Sequence, residues 1–457
     1  MEETSNSTTQ GSQVMKSGSG SKLSFSMKIM LKIFVILLLS VLLLIPRMMV
    51  GSLIDERAGT ASNAKQEISK KWGKAQCVAG PFLCIPARYD KEKKSTVADD
   101  LIIFPETFNI SGNISSQVLH RGIYDVSVYS APLAVKGSFC FPRELDMATL
   151  EKNYKLDKAS YMFYIRDLRG LNSYVELTAA EEKKVMLTAE RGYLSCEADM
   201  AHLLNGDTVD YSLSLDLKGS QGLYVVPCGN SSTAHITSNC PSPSFTGFLP
   251  DDRQVGDTGF TADWKVIALN RGFAQTSSFS SFNNTTISHA RNGYSEEDKL
   301  NEMDDFMGVS LKTGVNQYQQ NTRANKYAYL IIILTFITVL FVEIRKENPI
   351  HLVQYLLIGI AIVLFYTLLL SFSEFMAFGW SYLIAAVMTI GLVTAYMAAI
   401  LKIRKTAFAI GGLLSALYIY IYILLTLETF SLLAGSIGLF IILMLVMMAS
   451  QKINWYR

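Results

Sequence analysis

The sequence carries little charge for its length of 457 residues. Charged side chains make up 18% of it, against roughly 25% in an ordinary soluble protein, whereas hydrophobic residues make up 50%. The hydrophobic residues form uninterrupted blocks near the start and after residue 326. Helices of a soluble bundle need a polar face, which these blocks lack. The distribution therefore predicts helices that are surrounded by lipid.

Common catalytic motifs are also missing. The sequence contains no GxSxG, HExxH or GxxxxGK[ST] pattern and no CxxC pair, and its histidines are dispersed at His120, His202, His235, His289 and His351. These absences argue against the common motifs of hydrolases, zinc proteases, P-loop proteins and thiol redox enzymes. We expect no enzymatic activity, no metal or other cofactor, and no nucleic-acid partner. A hydrolase whose site is assembled from distant residues stays an alternative.

Six segments are long and apolar enough to cross a membrane. At a rise of about 1.5 Å per residue the shortest, with 18 residues, covers roughly 27 Å, close to a hydrocarbon core of about 30 Å. The segments are Met30–Val50, Tyr327–Ile344, Leu352–Leu370, Trp380–Leu401, Ala407–Leu427 and Phe430–Ser450.

Basic side chains collect on one side of these spans. The loops and the C-terminus on that side carry Arg345, Lys346, Lys402, Arg404, Lys405, Lys452 and Arg457, and the residues at the start of the first span add Lys16, Lys22, Lys28 and Lys32. The opposite loops, residues 371–379 and 428–429, carry no Lys or Arg. Because loops rich in Lys and Arg stay in the cytoplasm, we expect both termini there and residues 51–325 outside.

The first apolar segment has two interpretations. A basic stretch followed by Ile33–Pro46 is typical of a secretory signal peptide. No small-x-small cleavage site follows it, so we expect an uncleaved anchor helix at residues 30–50. Residues 1–29, rich in Ser, Gly and Thr, predict a disordered cytoplasmic tail. Residues 451–457 are expected to form a short cytoplasmic tail at the other end.

Residues 51–325 predict a large β-rich domain that begins with a helix. Apolar positions along Ser52–Trp72 share one helical face, so this segment is expected to continue outward from the membrane. Tyr211–Lys218 alternates apolar and polar residues, as a half-buried strand does, and Ile123–Tyr129 and Phe260–Val266 alternate similarly. The predicted fold is a polytopic α-helical membrane protein, with a sandwich-like domain of mostly antiparallel sheets inserted after the first span and a five-helix bundle at residues 326–450.

All six cysteines lie in this middle domain, at Cys77, Cys84, Cys140, Cys196, Cys228 and Cys240. An even number confined to a compartment where disulfides persist is consistent with bridges, although six cysteines allow 15 pairings. Buried cysteine is equally typical as a small hydrophobic residue. Both interpretations stay open.

Ionisable residues are absent from the middle of every span. An ionisable group at the bilayer centre costs roughly 2.5 to 3.5 kcal/mol, and such groups usually mark a transport path. Glu343, Glu374 and Glu428 fall at helix ends, where we expect solvated interfacial positions. Gln354, Tyr366 and Glu374 are the polar candidates for a substrate path, if the bundle has one.

Several segments carry a resemblance to a known family. These segments are LIP, DERAG and WGKAQCVAGPFLCIP within Leu44–Pro86, HRGIYDVSVY (His120–Tyr129), RDLRGL (Arg166–Leu171), SNCPSPSFTGFLPD (Ser238–Asp251), GFTADW (Gly259–Trp264), Asp305–Phe336, HLVQYLLIG (His351–Gly359) and NWY (Asn454–Tyr456). Through them the sequence resembles the CreD family of bacterial inner-membrane, cell-envelope integrity proteins, over nearly the whole chain beyond residue 40.

The resemblance implies a multi-pass protein of the inner membrane of a Gram-negative bacterium, with residues 51–325 in the periplasm. It also implies a role in envelope integrity and stress response, with effects on tolerance of colicins and β-lactams. The family has no established catalytic residues to transfer. We therefore expect a non-enzymatic protein whose periplasmic domain contacts an envelope protein or the cell wall. A transporter or lipid-handling protein is the alternative, and the oligomeric state stays open.

Two segments are candidate contact sites. The prolines of Ser238–Asp251 are expected to keep it extended with few strand hydrogen bonds, so that Pro241, Pro243 and Phe245 could meet a partner. A rigid crossover is the other interpretation of this segment. The residues before the second span, with Gln317, Gln320 and Arg323, could clamp the periplasmic domain to the bundle.

Overall fold

The computed structural model describes residues 25–90, 95–96, 98–179, 183–190, 192–288, 290, 305–311, 317–346, 349–427 and 430–451. Most of the two predicted tails lies outside this range. The chain forms two compact units. The membrane unit comprises residues up to Arg57 and from Gln317 onward, and the β unit comprises Ala58–Asn316.

Helices make up the membrane unit, and shorter helices connect strands in the β unit. In chain order they are α1 Phe25–Leu42, α2 Leu44–Trp72, α3 Met147–Asn153, α4 Ala201–Leu204, α5 Phe279–Phe282, α6 Gln317–Lys326, α7 Ala328–Lys346, α8 Leu352–Ser373, α9 Phe378–Leu401, α10 Arg404–Thr426 and α11 Ser431–Gln451.

Five helical stretches of the described chain are long and apolar enough to cross a membrane. They are Ile29–Trp72, Gln317–Lys346, Leu352–Ser373, Phe378–Leu401 and Arg404–Thr426. The sixth predicted span corresponds to α11, whose apolar stretch is Leu433–Met448. The prediction of a polytopic helical membrane protein is confirmed.

The membrane unit has a core of its own. Ile331, Phe336, Ile358, Ile362 and Ile421 are at most 1% exposed, whereas many apolar side chains on the outer faces of the same helices are more than half exposed. Contact with water would be unfavourable for the apolar outer faces of this bundle. This pattern is the one expected of helices in lipid.

The β unit is built from nineteen described strands. They are β1 Gln76–Ile85, β2 Tyr89–Asp90, β3 Ser95–Thr96, β4 Leu101–Ile103, β5 Thr107–Arg121, β6 Tyr124–Phe139, β7 Ser160–Ile165, β8 Glu176–Ala179, β9 Lys183–Met186, β10 Thr188–Glu190, β11 Tyr193–Glu197, β12 Val209–Ser220, β13 Gly222–Val226, β14 Ser231–Ser238, β15 Pro243–Gly247, β16 Asp252–Gly256, β17 Gly259–Ile267, β18 Thr276–Ser278 and β19 Met307–Leu311.

Two large sheets result from these strands. The first has the order β10-β11-β7-β1-β13-β19-β15, with β4 paired to β1 and β18 paired to β4. The second has the order β16-β17-β14-β5-β6-β12-β8-β9. Most pairings are antiparallel, as predicted, but β1 runs parallel to β13 and β14 runs parallel to β5. Both sheets contribute to one hydrophobic core, which includes Phe108, Val135, Phe163, Leu215 and Val225.

All three predicted strands are present, and two of them alternate as predicted. Along β12 the apolar residues from Tyr211 to Leu217 are buried, while the polar residues between them are partly or fully exposed. Phe260–Val266 alternates in the same way within β17. Ile123–Tyr129 leads into β6, which begins at Tyr124, but it does not alternate, because Val126–Tyr129 are all buried and Ile123 is 39% exposed. Period two puts alternate side chains on opposite faces, so the pattern reports a sheet with one face in the core.

One segment differs from expectation. Ser238–Asp251 was expected to make few strand hydrogen bonds, but β15 lies inside it and pairs with β19 over five residues, from Pro243 opposite Leu311 to Gly247 opposite Met307. Proline is compatible with the first position of an edge strand, because its missing N–H faces no neighbour there. Pro243 occupies that position. The prediction of few strand hydrogen bonds is therefore wrong for the segment as a whole, although Pro243 itself donates none.

Candidate functional site in the membrane unit

Three helices meet at an ion pair whose side chains are 23% exposed at Lys32 and 10% exposed at Glu343. Lys32 on α1 donates from Nζ to Glu343 Oε1 on α7, and also to the carbonyl oxygen of Ile350 at 2.8 Å. Tyr355 on α8 donates from its hydroxyl to Glu343 Oε2 at 2.8 Å, and its ring centroid lies 5.7 Å from Lys32 Nζ. These three residues are called the Lys32 triad below.

Glu343 is only 8% exposed, which corrects the expectation of a solvated interfacial residue. A carboxylate without water is tolerated only when an opposite charge and hydrogen bonds replace its hydration. Lys32 and Tyr355 supply both. The triad therefore fastens the first span to the second and third.

A second group of polar residues lies at the opposite end of the bundle, where the chain passes to the β unit. The Nε of Arg47 on α2 donates to the carbonyl oxygen of Asn325 at 3.1 Å. Asn321, one turn earlier on α6, donates from Nδ2 to Ser373 Oγ on α8 at 2.8 Å. The next residue on that helix end is Glu374, whose Oε1 lies 3.9 Å from Arg57 Nε. This separation is an ion pair but is too long for a hydrogen bond.

Aromatic residues continue this group into the bundle. Tyr366 lies two turns before Ser373 on the same buried face of α8, and its ring packs against Phe365 at 4.8 Å. Phe365 also packs against Tyr418 of α10 at 4.8 Å and against Tyr382 of α9 at 5.4 Å. Tyr382 donates from its hydroxyl to the carbonyl oxygen of Tyr418 at 2.8 Å.

Several polar atoms of this group have no hydrogen-bond partner among the residues the structure describes. They are buried and belong to five side chains on three helices, α6, α8 with its C-terminal cap, and α10. An unpaired buried polar group costs about 1–3 kcal/mol, and more when it is charged, so native proteins rarely keep one without a purpose or a bound partner. We define the polar cluster as Arg47 together with these five side chains, which are Asn321, Asn325, Tyr366, Glu374 and Tyr418.

The sequence-predicted site residues fall in different places. Tyr366, 2% exposed, and Glu374, with an 11% exposed side chain, both belong to the polar cluster. The low exposure of Glu374 again corrects the expectation of a solvated interfacial position. Gln354 lies at the other end of α8, where its Oε1 accepts from the N–H of His351 at 2.9 Å and so caps the helix. Glu428 lies outside the described residues.

The segment before the second span is a helix of the membrane unit. Gln317, Gln320 and Arg323 lie on α6 and are partly exposed, and their predicted clamp to the β unit stays a prediction. The buried face of α6 instead carries Asn321 and Asn325, 1% and 5% exposed, which sequence reasoning missed. The signal was available, because two asparagines at a spacing of four residues share one face of a helix.

Comparison with known proteins identifies the family. A family model described as the inner membrane protein CreD matches residues 28–456. The chain is 31% identical over 430 residues to the inner membrane protein CreD of Escherichia coli (strain K12), covering 91% of each sequence. The chain belongs to the CreD family.

Solved structures add nothing to the CreD assignment. An M1 zinc metallopeptidase from Deinococcus radiodurans matches with a TM-score of 0.19 and 9% identity, and a mutant of the same enzyme matches with 0.17 and 8%. The match covers 38% of this chain and 40% of the first structure, and 36% and 38% for the second. Scores this low carry no argument about fold or activity. Among the described residues, no group of three or more His, Cys, Asp or Glu side chains could hold a metal ion.

The CreD motif RDLRGL joins strands of the β unit. Asp167 accepts from the N–H of Lys74 at 3.1 Å and from Arg169 Nε and Nη2 at 2.9 and 3.0 Å. Burial alone would raise the pKa of Asp167, but these hydrogen bonds outweigh it and hold the pKa below its usual value. Gln76, fully buried, donates to the carbonyl oxygens of Asp167 and Lys218 at 3.0 and 2.9 Å. The motif thus stabilises the junction of β1, β7 and β12.

The predicted contact residues of Ser238–Asp251 are placed on and beside β15. Pro241 is exposed, and Pro243 begins the strand. Phe245 is half-buried and packs edge-on against Phe260 at 5.6 Å and Trp264 at 5.8 Å. The ring of Phe245 packs between the two sheets. A partner that bound this segment would therefore contact side chains other than Phe245.

Proposed function

We propose that this CreD family protein supports cell-envelope integrity and stress tolerance through non-catalytic contacts of its β unit in the periplasm. The charge asymmetry of the loops supports an orientation with both termini in the cytoplasm. The family supports the inner membrane as the location. The contact itself is supported by two edge strands, one in each sheet, that pair on one side only among the described residues.

Both large sheets end on the same side of the β unit. The strand β15 is the last of the first sheet, and β16 is the last of the second. Four residues connect them, which restricts the two edges to within roughly 17 Å of each other. Unpaired edge strands offer backbone N–H and C=O groups to a partner strand.

Apolar side chains accompany this double edge. Leu249, in the connection, is 66% exposed, and Val255, on β16, is 51% exposed. Exposed apolar residues beside an unpaired edge are typical of a surface that adds a strand from a partner. We therefore expect an envelope protein with an extended segment to dock here.

Site-specific crosslinking in living cells tests this proposal. A photo-reactive residue at Val255 should capture a discrete envelope partner, and Val255→Lys should lower tolerance of β-lactams. Met186 is the matched control, because it is also 51% exposed and lies on β9, the opposite edge of the same sheet.

A crosslinker at Met186 should capture little, and Met186→Lys should leave tolerance unchanged. Equal capture from both edges, or an unchanged phenotype in the Val255 variant, would count against the proposal.

A transporter or lipid-handling role of the bundle is the second candidate. It is favoured by the unpaired polar atoms of the polar cluster, because an anchor needs no such groups. A scan of Gln354, Tyr366 and Glu374 separates the two roles. A substrate path should be sensitive at Tyr366 and Glu374, whereas a passive anchor should tolerate both changes.

A further inference from the structure

We propose that the polar cluster binds a zwitterion that carries a primary ammonium and a phosphate, the chemistry of an ethanolamine phospholipid headgroup. The inference goes beyond the envelope role, since it concerns the membrane unit alone. It rests on the kinds of atoms left unpaired, on their burial and on their depth along the helices.

Three of the buried atoms that have no hydrogen-bond partner within the described chain are acceptors. They are Asn321 Oδ1, Asn325 Oδ1 and Glu374 Oε1, two amide oxygens and one carboxylate oxygen. An ammonium has three donors and no acceptor, so it matches such a set. Arg57 reaches only 3.9 Å from Glu374 Oε1 and its side chain is 48% exposed, so it can be displaced outward by an entering ammonium.

The remaining groups of the polar cluster are donors. The hydroxyls of Tyr366 and Tyr418 are buried without partners among the described residues. Arg47 donates from Nε to the carbonyl oxygen of Asn325 at 3.1 Å and supplies the positive charge of the cluster. A guanidinium with hydroxyl donors is a typical binding set for phosphate, because charge-assisted N–H and O–H donors match its oxygens.

The depth fits a headgroup. Lys32 of the triad and Arg47 of the polar cluster are 15 residues apart, or about 22 Å along the first span, within a hydrocarbon core of about 30 Å. The two polar groups therefore lie toward the two ends of the apolar span. Ser373 is the last residue of α8 and Glu374 caps it, so both lie at the end of that apolar span.

The test uses the full-length protein in detergent with equal amounts of phosphatidylethanolamine and phosphatidylglycerol, analysed by native mass spectrometry. The wild type should retain phosphatidylethanolamine in preference to phosphatidylglycerol. Glu374→Gln and Tyr366→Phe should each weaken this retention about tenfold, the effect of losing one charge-assisted or buried hydrogen bond.

Asp55→Asn is the matched control, since Asp55 is an exposed carboxylate on α2 near the same end of the bundle. It should leave retention unchanged, and thermal unfolding should show that all variants fold. Addition of free phosphoethanolamine distinguishes the sources. Displacement of the lipid supports a shared headgroup site, and binding of phosphoethanolamine without lipid retention supports a soluble zwitterion. Equal retention of both lipids by the wild type without binding of phosphoethanolamine, or binding unaffected by Glu374→Gln and Tyr366→Phe, overturns the proposal.

Discussion

Glu343 shows how a single residue can hold a membrane helix in place. Its carboxylate has exchanged water for the ammonium of Lys32 and the hydroxyl of Tyr355. The pair gains little over an apolar contact of similar size, but removal of one member leaves the other charge buried and alone. The Lys32 triad is therefore more important for the specificity of helix packing than for its total energy.

Loss of one member should be more harmful than loss of both. Lys32→Met is expected to reduce the free energy of unfolding by about 3–5 kcal/mol, because Glu343 then lacks its counter-charge. The double variant Lys32→Met with Glu343→Leu should recover most of that loss. Thermal unfolding in detergent measures both, with Lys326→Met as a control at an exposed lysine of α6. A double variant as unstable as the single one would contradict this account.

Burial of the individual side chains also accounts for the state of the cysteines. Burial raises the pKa of the Cys228 thiol to about 12 and that of Cys196 to about 11. Cys140, Cys196, Cys228 and Cys240 are thiols rather than half-cystines, and only Cys140 of these four is partly exposed. The interpretation as small buried hydrophobic residues therefore fits these positions better than disulfide bridges do.

The reactivity of the thiols should follow their exposure. At neutral pH a maleimide should modify Cys140 of the folded protein much faster than Cys228, because a thiol with a raised pKa and no exposure presents almost no thiolate. Mass spectrometry of peptides from a labelling time course measures the two rates. Unfolding in denaturant should make them similar. Comparable rates in the folded protein would indicate that Cys228 is accessible.

At the scale of elements, the end of α2 depends on one glycine. Gly73 follows the last helical residue with φ at +143°, and its N–H donates to the carbonyl oxygen of Ser69 at 2.9 Å. A Cβ at this position would lie 2.8 Å from the carbonyl oxygen of Lys218. Both the backbone angle and the close approach therefore require glycine where the helix gives way to β1.

Gly73→Ala should reduce the free energy of unfolding by about 1–3 kcal/mol, the usual cost of forcing a side chain into such a conformation. Gly59 provides the matched control within the same helix, since a Cβ there would meet nothing within 4 Å. Gly59→Ala should be neutral or stabilising by up to about 1 kcal/mol, because alanine is the better helix former. Denaturant titration of the full chain compares the two, and similar effects would argue against a special role for Gly73.

The elements differ in how well sequence alone predicts them. The spans and β12 follow from local patterns, since lipid demands long apolar runs and a half-buried strand demands alternation. β15 was missed because its pairing depends on β19, more than 60 residues later, while its prolines argue locally against a strand. Burial of Glu343 was missed because its counter-charge, Lys32, is 311 positions away.

At the scale of the whole molecule, the sheet order could not be predicted. β1 lies between β7 and β13, and its parallel partner β13 begins 146 positions after it. Such pairings are decided by packing between distant segments, for which composition and periodicity carry no information. The division into a helical and a β-rich part was predictable, because water and lipid select different residue patterns.

Orientation across the membrane is the property on which the proposed functions jointly depend. In a Cys140→Ser background, Asn205→Cys places a thiol in an exposed turn of the β unit, and Ile403→Cys places one between α9 and α10, where Ile403 is 38% exposed. A maleimide that cannot cross the inner membrane should label the thiol at position 205 in cells with a permeabilised outer membrane. It should label position 403 only after lysis, because the basic residues around that loop favour the cytoplasm. The reverse pattern would contradict the proposed periplasmic location of the β unit, and with it the proposed envelope contact at β15 and β16.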